Sequence, residues 1–182
     1  MKKVWFFVEG NDDESLISRF LRKIQFSFDY EIIKYRELEK GKVNKYLKSI
    51  EEKNDDYLFL ADFENGPCIG EKKIQLINSY SELKKEKIII VKKEIESWYL
   101  ALISENFAKE ISIDPNILID TSFCTKKKFE DIMRKTNYKS ETVFKQDILI
   151  NFNVSDIDLA RQRNSSLDYF IKKIESLKKE NF

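Results

Sequence analysis

Short apolar runs alternate with longer amphipathic stretches over the first hundred residues of the chain. Apolar and aromatic runs of strand length indicate strands at residues 4–8, 29–35, 57–61 and 88–91. Apolar residues at helical spacing indicate helices around residues 16–24, 37–52, 71–84 and 94–103. Strands that alternate with helices in this way predict an α/β fold with a mainly parallel, four-stranded sheet flanked by helices.

Strand signals fade after about residue 104, and helical spacing continues through the rest of the chain. The predicted helices of this part lie near residues 105–112, 125–135, 141–150, 155–163 and 166–179. We therefore predict an α/β core over residues 1–104 and a helical extension over residues 105–182, packed on or beside the core.

The composition is that of a globular protein with a heavily charged exterior. Of the 182 residues, 42% are hydrophobic and 36% are charged, which excludes a disordered chain. The net charge is +1, from 33 basic and 32 acidic residues. A nonspecific nucleic-acid-binding protein is usually more basic, so any contact with a polynucleotide must come from a local basic patch.

The absence of histidine limits the chemistry that the chain can perform. It excludes Ser-His-Asp and Cys-His catalysis and histidine-ligated zinc. The two cysteines, Cys68 and Cys124, are too far apart for a zinc motif. With no signal-peptide pattern and no long apolar run, we expect a cytoplasmic protein with reduced thiols and no membrane contact. Catalysis would depend on carboxylates, lysines and hard metal ions.

Acidic side chains follow three of the predicted strands. They are Glu9, Asp13, Asp62, Glu64, Glu94 and Glu96. In an open parallel sheet, ligands bind beyond the carboxyl ends of the strands, so these carboxylates are expected at one edge. Several carboxylates in a small volume repel one another unless cations neutralise them, and Mg²⁺ or Mn²⁺ is their natural partner. Such ions activate water and stabilise the transition state of phosphoryl transfer.

Some of this acidity has a simpler interpretation. Asn11 is a good N-cap, and Asp12 and Glu14 would stabilise the first turn of a helix through its dipole. Glu9 is different, because a glutamate between an apolar strand and Gly10 has no capping role. The acidic pair after the third strand could instead be ordinary turn residues before a Gly-Pro sequence.

Three segments resemble the motifs of the Toprim domain. They are VEGNDDE at residues 8–14, DFENG at residues 62–66 and KEIESWYLA at residues 93–101. The Toprim motifs are a glutamate at a strand end and an Asp-x-Asp-x-Gly run. Over about residues 4–103 the chain is similar to small stand-alone Toprim-like nucleases of the RloB, OLD and 5S ribosomal RNA maturation types. Glu64 departs from the pattern, since most of the family has aspartate there.

The resemblance implies a Toprim-like, Rossmann-like fold and a Mg²⁺- or Mn²⁺-dependent nuclease that cleaves phosphodiester bonds in RNA or DNA. It implies Glu9 as general acid/base or metal-bridging carboxylate and Asp62 and Glu64 as metal ligands. Asp13 and Glu96 would support a second ion. Proteins of this type often belong to restriction or phage-defence loci, so the resemblance implies a separate ATPase or another defence-system chain as a candidate partner. The abundance of lysine, asparagine and isoleucine is typical of bacterial or phage proteins.

Four basic residues are candidates for contact with nucleic acid. Lys72 and Lys73 open the helix after the acidic loop, where backbone N–H groups and lysine could hold a phosphate, and Lys72 is also a candidate for catalysis. Lys92 directly follows the fourth strand, and Arg161 lies on a C-terminal helix. The run at residues 126–128 is expected to be a solvated helix face, with phosphate contact as the second interpretation.

Two other functions are compatible with the sequence. The first is a non-catalytic Toprim-like module that binds a partner in a defence complex. The second is a receiver-like domain, in which Asp12, Asp13 and Asp62 would form a phosphoacceptor site with Mg²⁺. Against a receiver, Glu9-Gly10 has no role there, and the chain continues into helices where a receiver has a fifth strand.

Overall fold

The structure of the protein is a computed structural model, which describes residues 3–63 and 68–179. The chain forms two compact units, Met1–Val91 and Lys92–Phe182. Such a division does not test where independent domains would begin and end. The predicted domain boundary after residue 104 therefore stays a prediction.

The first unit is built on one parallel sheet. Its strands are β1 (Val4–Val8), β2 (Tyr30–Lys34), β3 (Asp56–Asp62) and β4 (Ile88–Val91). Its helices are α1 (Asn11–Lys23), α2 (Lys40–Glu52) and α3 (Ile69–Ser79). The strand order is β2-β1-β3-β4, and every neighbouring pair is parallel. The predicted α/β fold with a four-stranded parallel sheet is confirmed.

The sheet is apolar because both of its faces are covered. Phe6 of β1 pairs with Ile32 on one side and Leu58 on the other. Alternate residues of the strands, including Phe7 and Phe59, share a buried cluster with apolar residues of α2 and α3. Burial on both faces explains why these strands are continuous apolar runs rather than alternating ones.

The strand order reverses direction between β1 and β3. Helix α1 leads from β1 to β2, and α2 leads back across the sheet to β3. Because such crossovers are right-handed, α1 and α2 cover opposite faces of the sheet. In sheets of this type, ligands bind where the strand order reverses, which here is the position at which β1 and β3 end. We call the side of the sheet where the strands end the carboxyl edge.

Two helices of the first unit end in a left-handed residue that is not glycine. Gln25 after α1 has φ 50° and Asn54 after α2 has φ 62°. In each case the next amide reaches back to the last turn: Phe26 N–H donates to Leu21 O, and Asp55 N–H donates to Ile50 O. This is the bonding of a Schellman motif, which turns the chain sharply toward the following strand.

In its described residues, the second unit consists of helices joined by turns and loops, with no strand. Its helices are α4 (Glu96–Ala101), α5 (Glu105–Glu110), α6 (Lys126–Met133), α7 (Glu141–Asn151), α8 (Ile157–Arg163) and α9 (Ser165–Lys179). Each helix predicted after residue 104 is present, so the C-terminal helices are confirmed. No helix in the described ranges combines the length and apolarity that a membrane crossing requires.

A buried polar network organises the second unit around Asn164, whose side chain is inaccessible to solvent. Its Oδ1 accepts hydrogen bonds from the backbone N–H groups of Ser166 and Leu167, which caps the start of α9. Its Nδ2 donates to Ser97 and Thr121. Asn164 thus joins the start of α9, helix α4 and the segment before α6 through one side chain.

Several helix boundaries differ by a few residues from the sequence prediction, and two of the differences have a clear local cause. The helix predicted over residues 71–84 ends at Ser79, because Tyr80 adopts an extended backbone with φ −131° and starts a turn. The first helix begins after Gly10, which is its N-cap, whereas Asn11 was expected in that role. Asn11 is instead the first helical residue, and its Oδ1 accepts a hydrogen bond from Lys34 Nζ at 2.8 Å.

Candidate functional site

Glu9 is fixed by donors from both neighbouring strands at the carboxyl edge. Its Oε1 accepts a hydrogen bond from the Tyr35 hydroxyl at 3.0 Å and another from the Asp62 backbone N–H at 3.1 Å. Its Oε2 lies 2.6 Å from Nη2 of Arg36. The side chain is only 10% exposed. A carboxylate with this little exposure and three donors has a defined orientation.

The position of Glu9 follows from the alternation of β1. Phe7 and Glu9 are two residues apart, so both side chains are directed to the same face of the sheet. Phe7 and Tyr35 both belong to the buried cluster on that face. The Tyr35 ring lies 4.3 Å from that of Phe59 and 5.9 Å from that of Tyr80, measured between centroids. These rings fix the hydroxyl that reaches Glu9.

Tyr35 is a hydrogen-bond donor under all ordinary conditions. The residue is 3% exposed, and burial raises the pKa of its phenol. The negative charge of Glu9 raises this pKa further. The hydroxyl therefore keeps its proton and donates a hydrogen bond to the Glu9 carboxylate.

Asp62 is the last residue of β3 and is half-buried. Its hydrogen bond to Glu9 joins the ends of β1 and β3 at the point where the strand order reverses. Glu64, the second predicted ligand of this motif, lies outside the described residues, as does Gly66. The described part of the second acidic motif is therefore Asp62 alone.

Asp13 is buried, and it has a structural role in the first turn of α1. Its carboxylate accepts a hydrogen bond from the Gly10 backbone N–H at 3.2 Å, in the manner of a capping box. Among the described residues of the first unit, no three carboxylates bring their ligand atoms within 4.8 Å of one another. The predicted role of Asp13 in holding a second ion stays a prediction.

Lys72 and Lys73 lie near the start of α3, which begins seven residues after Asp62 in the sequence. Both side chains are half-buried. Lys73 Nζ donates to the main-chain oxygen of Lys85 at 3.4 Å. Cys68 caps this helix through its sulfur, which accepts a hydrogen bond from the Glu71 backbone N–H. The predicted contacts of the two lysines with phosphate stay predictions.

In the second unit, Glu96 forms a buried ion pair. Its Oε1 lies 2.8 Å from Nζ of Lys145, and the side chains are 5% and 4% exposed. Glu141 lies 2.5 Å from the same ammonium, and the rings of Tyr99 and Phe129 lie over it at 5.4 Å. The Lys145 ammonium neutralises the buried carboxylate of Glu96. The predicted role of Glu96 as a metal ligand stays a prediction.

The remaining predicted contacts with nucleic acid also have partners within the second unit. Lys92 Nζ lies 5.5 Å above the ring of Phe123. Arg161 forms ion pairs with Asp168 and Glu175, both at 2.8 Å, and the hydrogen bond to Asp168 raises the pKa of the guanidinium. Contact of Arg161 with a phosphate would have to compete with these two carboxylates.

Trp98 and the lysines at residues 126–128 have the burial that their sequence patterns predict. Trp98 is buried, as expected of a core residue, and its Nε1–H donates to Ser166 Oγ at 2.8 Å. An indole inside the core is not available for base stacking. The lysines at residues 126–128 are exposed at the start of α6, as expected of a solvated helix face.

Tyr35 and Arg36 were not predicted as residues of the site. Both follow β2 directly, in the short 3-10 turn Tyr35–Glu37. They therefore emerge at the same edge as Glu9 and Asp62, because parallel strands end together. A signal was present, since these two residues with donor groups lie at and directly after the end of the strand predicted over residues 29–35. The acidic residues at the strand ends formed the more distinctive pattern.

The donor set at the carboxyl edge is suited to a hard divalent cation. Glu9 and Asp62 supply carboxylates from adjacent strand ends, and the Asp62 backbone N–H donates a hydrogen bond to the Glu9 side chain. Mg²⁺ and Mn²⁺ prefer such oxygen ligands, and Mg²⁺ commonly binds through one or two carboxylates plus phosphate oxygens. The residues present therefore fit the ion that the sequence implies.

No protein-family model matches the chain, and no curated protein matches it. Among solved structures, the chain is similar to the C-terminal region of the Burkholderia pseudomallei OLD protein, with a TM-score of 0.54. The sequences are 10% identical, and the comparison covers 95% of this chain and 98% of that one. The likeness is one of fold. It agrees with the resemblance to OLD proteins at the level of architecture.

Proposed function

We propose that the protein is a Mg²⁺- or Mn²⁺-dependent nuclease of the Toprim-like class that cleaves phosphodiester bonds in RNA or DNA. One observation carries the proposal: the carboxylate at the end of β1 is hydrogen-bonded to the residue that ends β3, at the strand-order reversal. The similarity in fold to the C-terminal region of an OLD protein supports it.

In this proposal Glu9, Asp62 and Glu64 hold the ion, with Asp13 and Glu96 as support for a second one. When bound, the ion supplies Lewis-acid stabilisation of the phosphorane charge and lowers the pKa of a coordinated water. Tyr35 and the Asp62 N–H orient Glu9 through hydrogen bonds to a single oxygen, Oε1. In the hydrolysis, the oxygen of a water molecule bonds to phosphorus, the bridging P–O bond breaks, and the proton that the water loses ends on the departing oxygen.

Lys72 is proposed to contact the phosphate beside the ion, and Lys73, Lys92 and Arg161 to contact the nucleic-acid backbone. The net charge of +1 makes tight nonspecific binding unexpected, so these local cations would have to provide the affinity. We extend the proposal to the setting of the protein: it would act in a cytoplasmic phage-defence system, with a separate ATPase or another defence-system chain as its partner.

The test is a cleavage assay on end-labelled RNA and DNA, each single-stranded and double-stranded. Purified protein is incubated with Mg²⁺, with Mn²⁺ or with EDTA, beside an Asp62→Asn variant. We expect cleavage of at least one substrate with a divalent ion, no cleavage with EDTA, and loss of cleavage in the variant. Cleavage that persists in EDTA or in Asp62→Asn contradicts the mechanism. Inertness toward all four substrates favours the binding-module function.

A further inference from the structure

Arg36 forms an ion pair with the carboxylate proposed to hold the metal. Its Nη2 lies 2.6 Å from Glu9 Oε2, closer than the Tyr35 hydroxyl or the Asp62 N–H lies to Oε1. The two partners differ in their access to solvent, because the Arg36 side chain is 50% exposed and that of Glu9 is 10% exposed. The guanidinium therefore covers the carboxylate from the solvent side.

The two oxygens of Glu9 have different surroundings. Oε1 accepts from the Tyr35 hydroxyl and from the Asp62 N–H, which uses both of its lone pairs. Oε2 faces Arg36. A divalent cation at Glu9 would therefore bind Oε2, and two positive groups cannot occupy that position together without strong repulsion.

We propose that Arg36 is an exchangeable counter-ion of Glu9, and this rests on the proposed function. Arg36 neutralises Oε2 until a divalent cation binds there, and the released guanidinium then binds a phosphate of the nucleic-acid substrate. Guanidinium suits both roles, since its planar donors match carboxylate and phosphate oxygens alike. The exchange adds Arg36 to the substrate-binding residues of the proposed reaction.

The contacts on either side of Glu9 make Arg36 the group that can move. Tyr35 is enclosed by aromatic rings, and the Asp62 N–H is part of the backbone of β3. Arg36 extends from a 3-10 turn and has a half-exposed side chain, so rotation about its own bonds can take it off the carboxylate.

The first test is a titration of the free protein with Mn²⁺, followed by electron paramagnetic resonance of the unbound ion. Arg36→Gln is compared with Arg22→Gln, which removes the same charge from an exposed arginine in the last turn of α1. The exchange predicts that Arg36→Gln binds Mn²⁺ about three- to tenfold more tightly, because the competing cation is gone. Arg22→Gln should bind Mn²⁺ as the wild type does.

The second test measures the phosphate role without catalysis. Binding of inorganic phosphate is followed by phosphorus NMR at saturating Mg²⁺ in wild type, Arg36→Gln and Arg36→Lys. We expect Arg36→Gln to weaken phosphate binding about tenfold, since charge-assisted hydrogen bonds are lost, and Arg36→Lys to retain part of the affinity. Equal phosphate affinity in Arg36→Gln and Arg22→Gln overturns the phosphate role.

The outcomes separate this inference from the function on which it rests. If Glu9→Gln abolishes Mn²⁺ binding while Arg36→Gln leaves it unchanged or weakens it, the metal site stands and the exchange is wrong. If the wild type shows no saturable Mn²⁺ binding, the metal site and the exchange fail together. Near-ultraviolet circular dichroism of each variant establishes that the fold is retained.

Discussion

The hydroxyl of Tyr35 is the buried contact that orients Glu9. Removing it in Tyr35→Phe leaves the aromatic packing intact but takes one donor from a carboxylate that is mostly shielded from water. We expect the free energy of unfolding to fall by about 1–2 kcal/mol, because a charge-assisted hydrogen bond is lost. Urea denaturation at neutral pH measures it.

Tyr80→Phe is the matched control for that experiment. Tyr80 packs against the same rings, but its hydroxyl makes no hydrogen bond within the described ranges 3–63 and 68–179. Its loss should change the unfolding free energy by less than about 0.5 kcal/mol. Equal losses in the two variants would show that the Tyr35 hydroxyl does not hold Glu9.

Cys124 makes the free energy of unfolding depend on pH in the alkaline range. Burial raises the pKa of its thiol from 9.0 to about 12. Above about pH 9 the unfolded state loses this proton while the folded state keeps it, so the unfolded state binds fewer protons. The free energy of unfolding therefore falls as pH rises through this window.

Cys124→Ala removes that dependence. Between about pH 8 and about pH 10.5, the wild type should lose about 1–2 kcal/mol more unfolding free energy than the variant does. The cavity left by the substitution is present at both pH values, so it cancels in the comparison. Urea denaturation of both proteins at the two pH values gives the result. Parallel losses would show that the thiol is accessible in the folded state.

At the scale of elements, α4 and α7 are joined by the buried pair of Glu96 and Lys145. Lys145→Met leaves the Glu96 carboxylate buried without this cation, and we expect a loss of about 3–5 kcal/mol in unfolding free energy. Adding Glu96→Leu to that variant should recover at least half of the loss, because the buried carboxylate is then gone and the other partner of Lys145, Glu141, is 24% exposed to solvent. Urea denaturation of the single and double variants measures both effects.

The control is Lys127→Met on the exposed face of α6, which should change stability by less than about 0.5 kcal/mol. A double variant no more stable than Lys145→Met would show that the pair is not an isolated ionic contact. The same variants bear on the predicted metal role of Glu96. If Glu96→Leu leaves Mn²⁺ affinity unchanged, Glu96 is a structural residue of the second unit.

The elements themselves follow closely from the hydrophobic pattern. All four strands and the helices of the C-terminal part lie where the periodicity of apolar residues predicts them. The reason is that a helix buried on one face and a strand buried on both faces each require a characteristic spacing of apolar residues. The residues at which helices and strands end are less predictable, because they depend on local backbone geometry. Helix α3 ends at Ser79 because Tyr80 turns into the aromatic cluster, a tertiary contact that spacing alone does not reveal.

For the molecule as a whole, the topology predicted from the sequence accounts for the contact between Glu9 and Asp62. Glu9 and Asp62 are 53 positions apart, and a parallel sheet with β1 beside β3 is what brings them into contact. Arg36 was not predicted, because its role depends on the register of β2 and on the direction of one side chain. A basic residue after a strand is common on any protein surface and therefore indicates little. A carboxylate between an apolar strand and Gly10 has few roles other than a functional one.

The measurement that tests the account most directly is the single-turnover cleavage rate of Glu9→Gln beside Glu14→Gln. The amide introduced by Glu9→Gln keeps an oxygen for the Asp62 N–H, while Glu14 is an acidic residue of the first turn of α1. With Mg²⁺ and a cleavable substrate, Glu9→Gln should be slower by about a hundredfold or more, and Glu14→Gln should match the wild type. Equal rates in all three proteins would contradict a metal-dependent site at the end of β1.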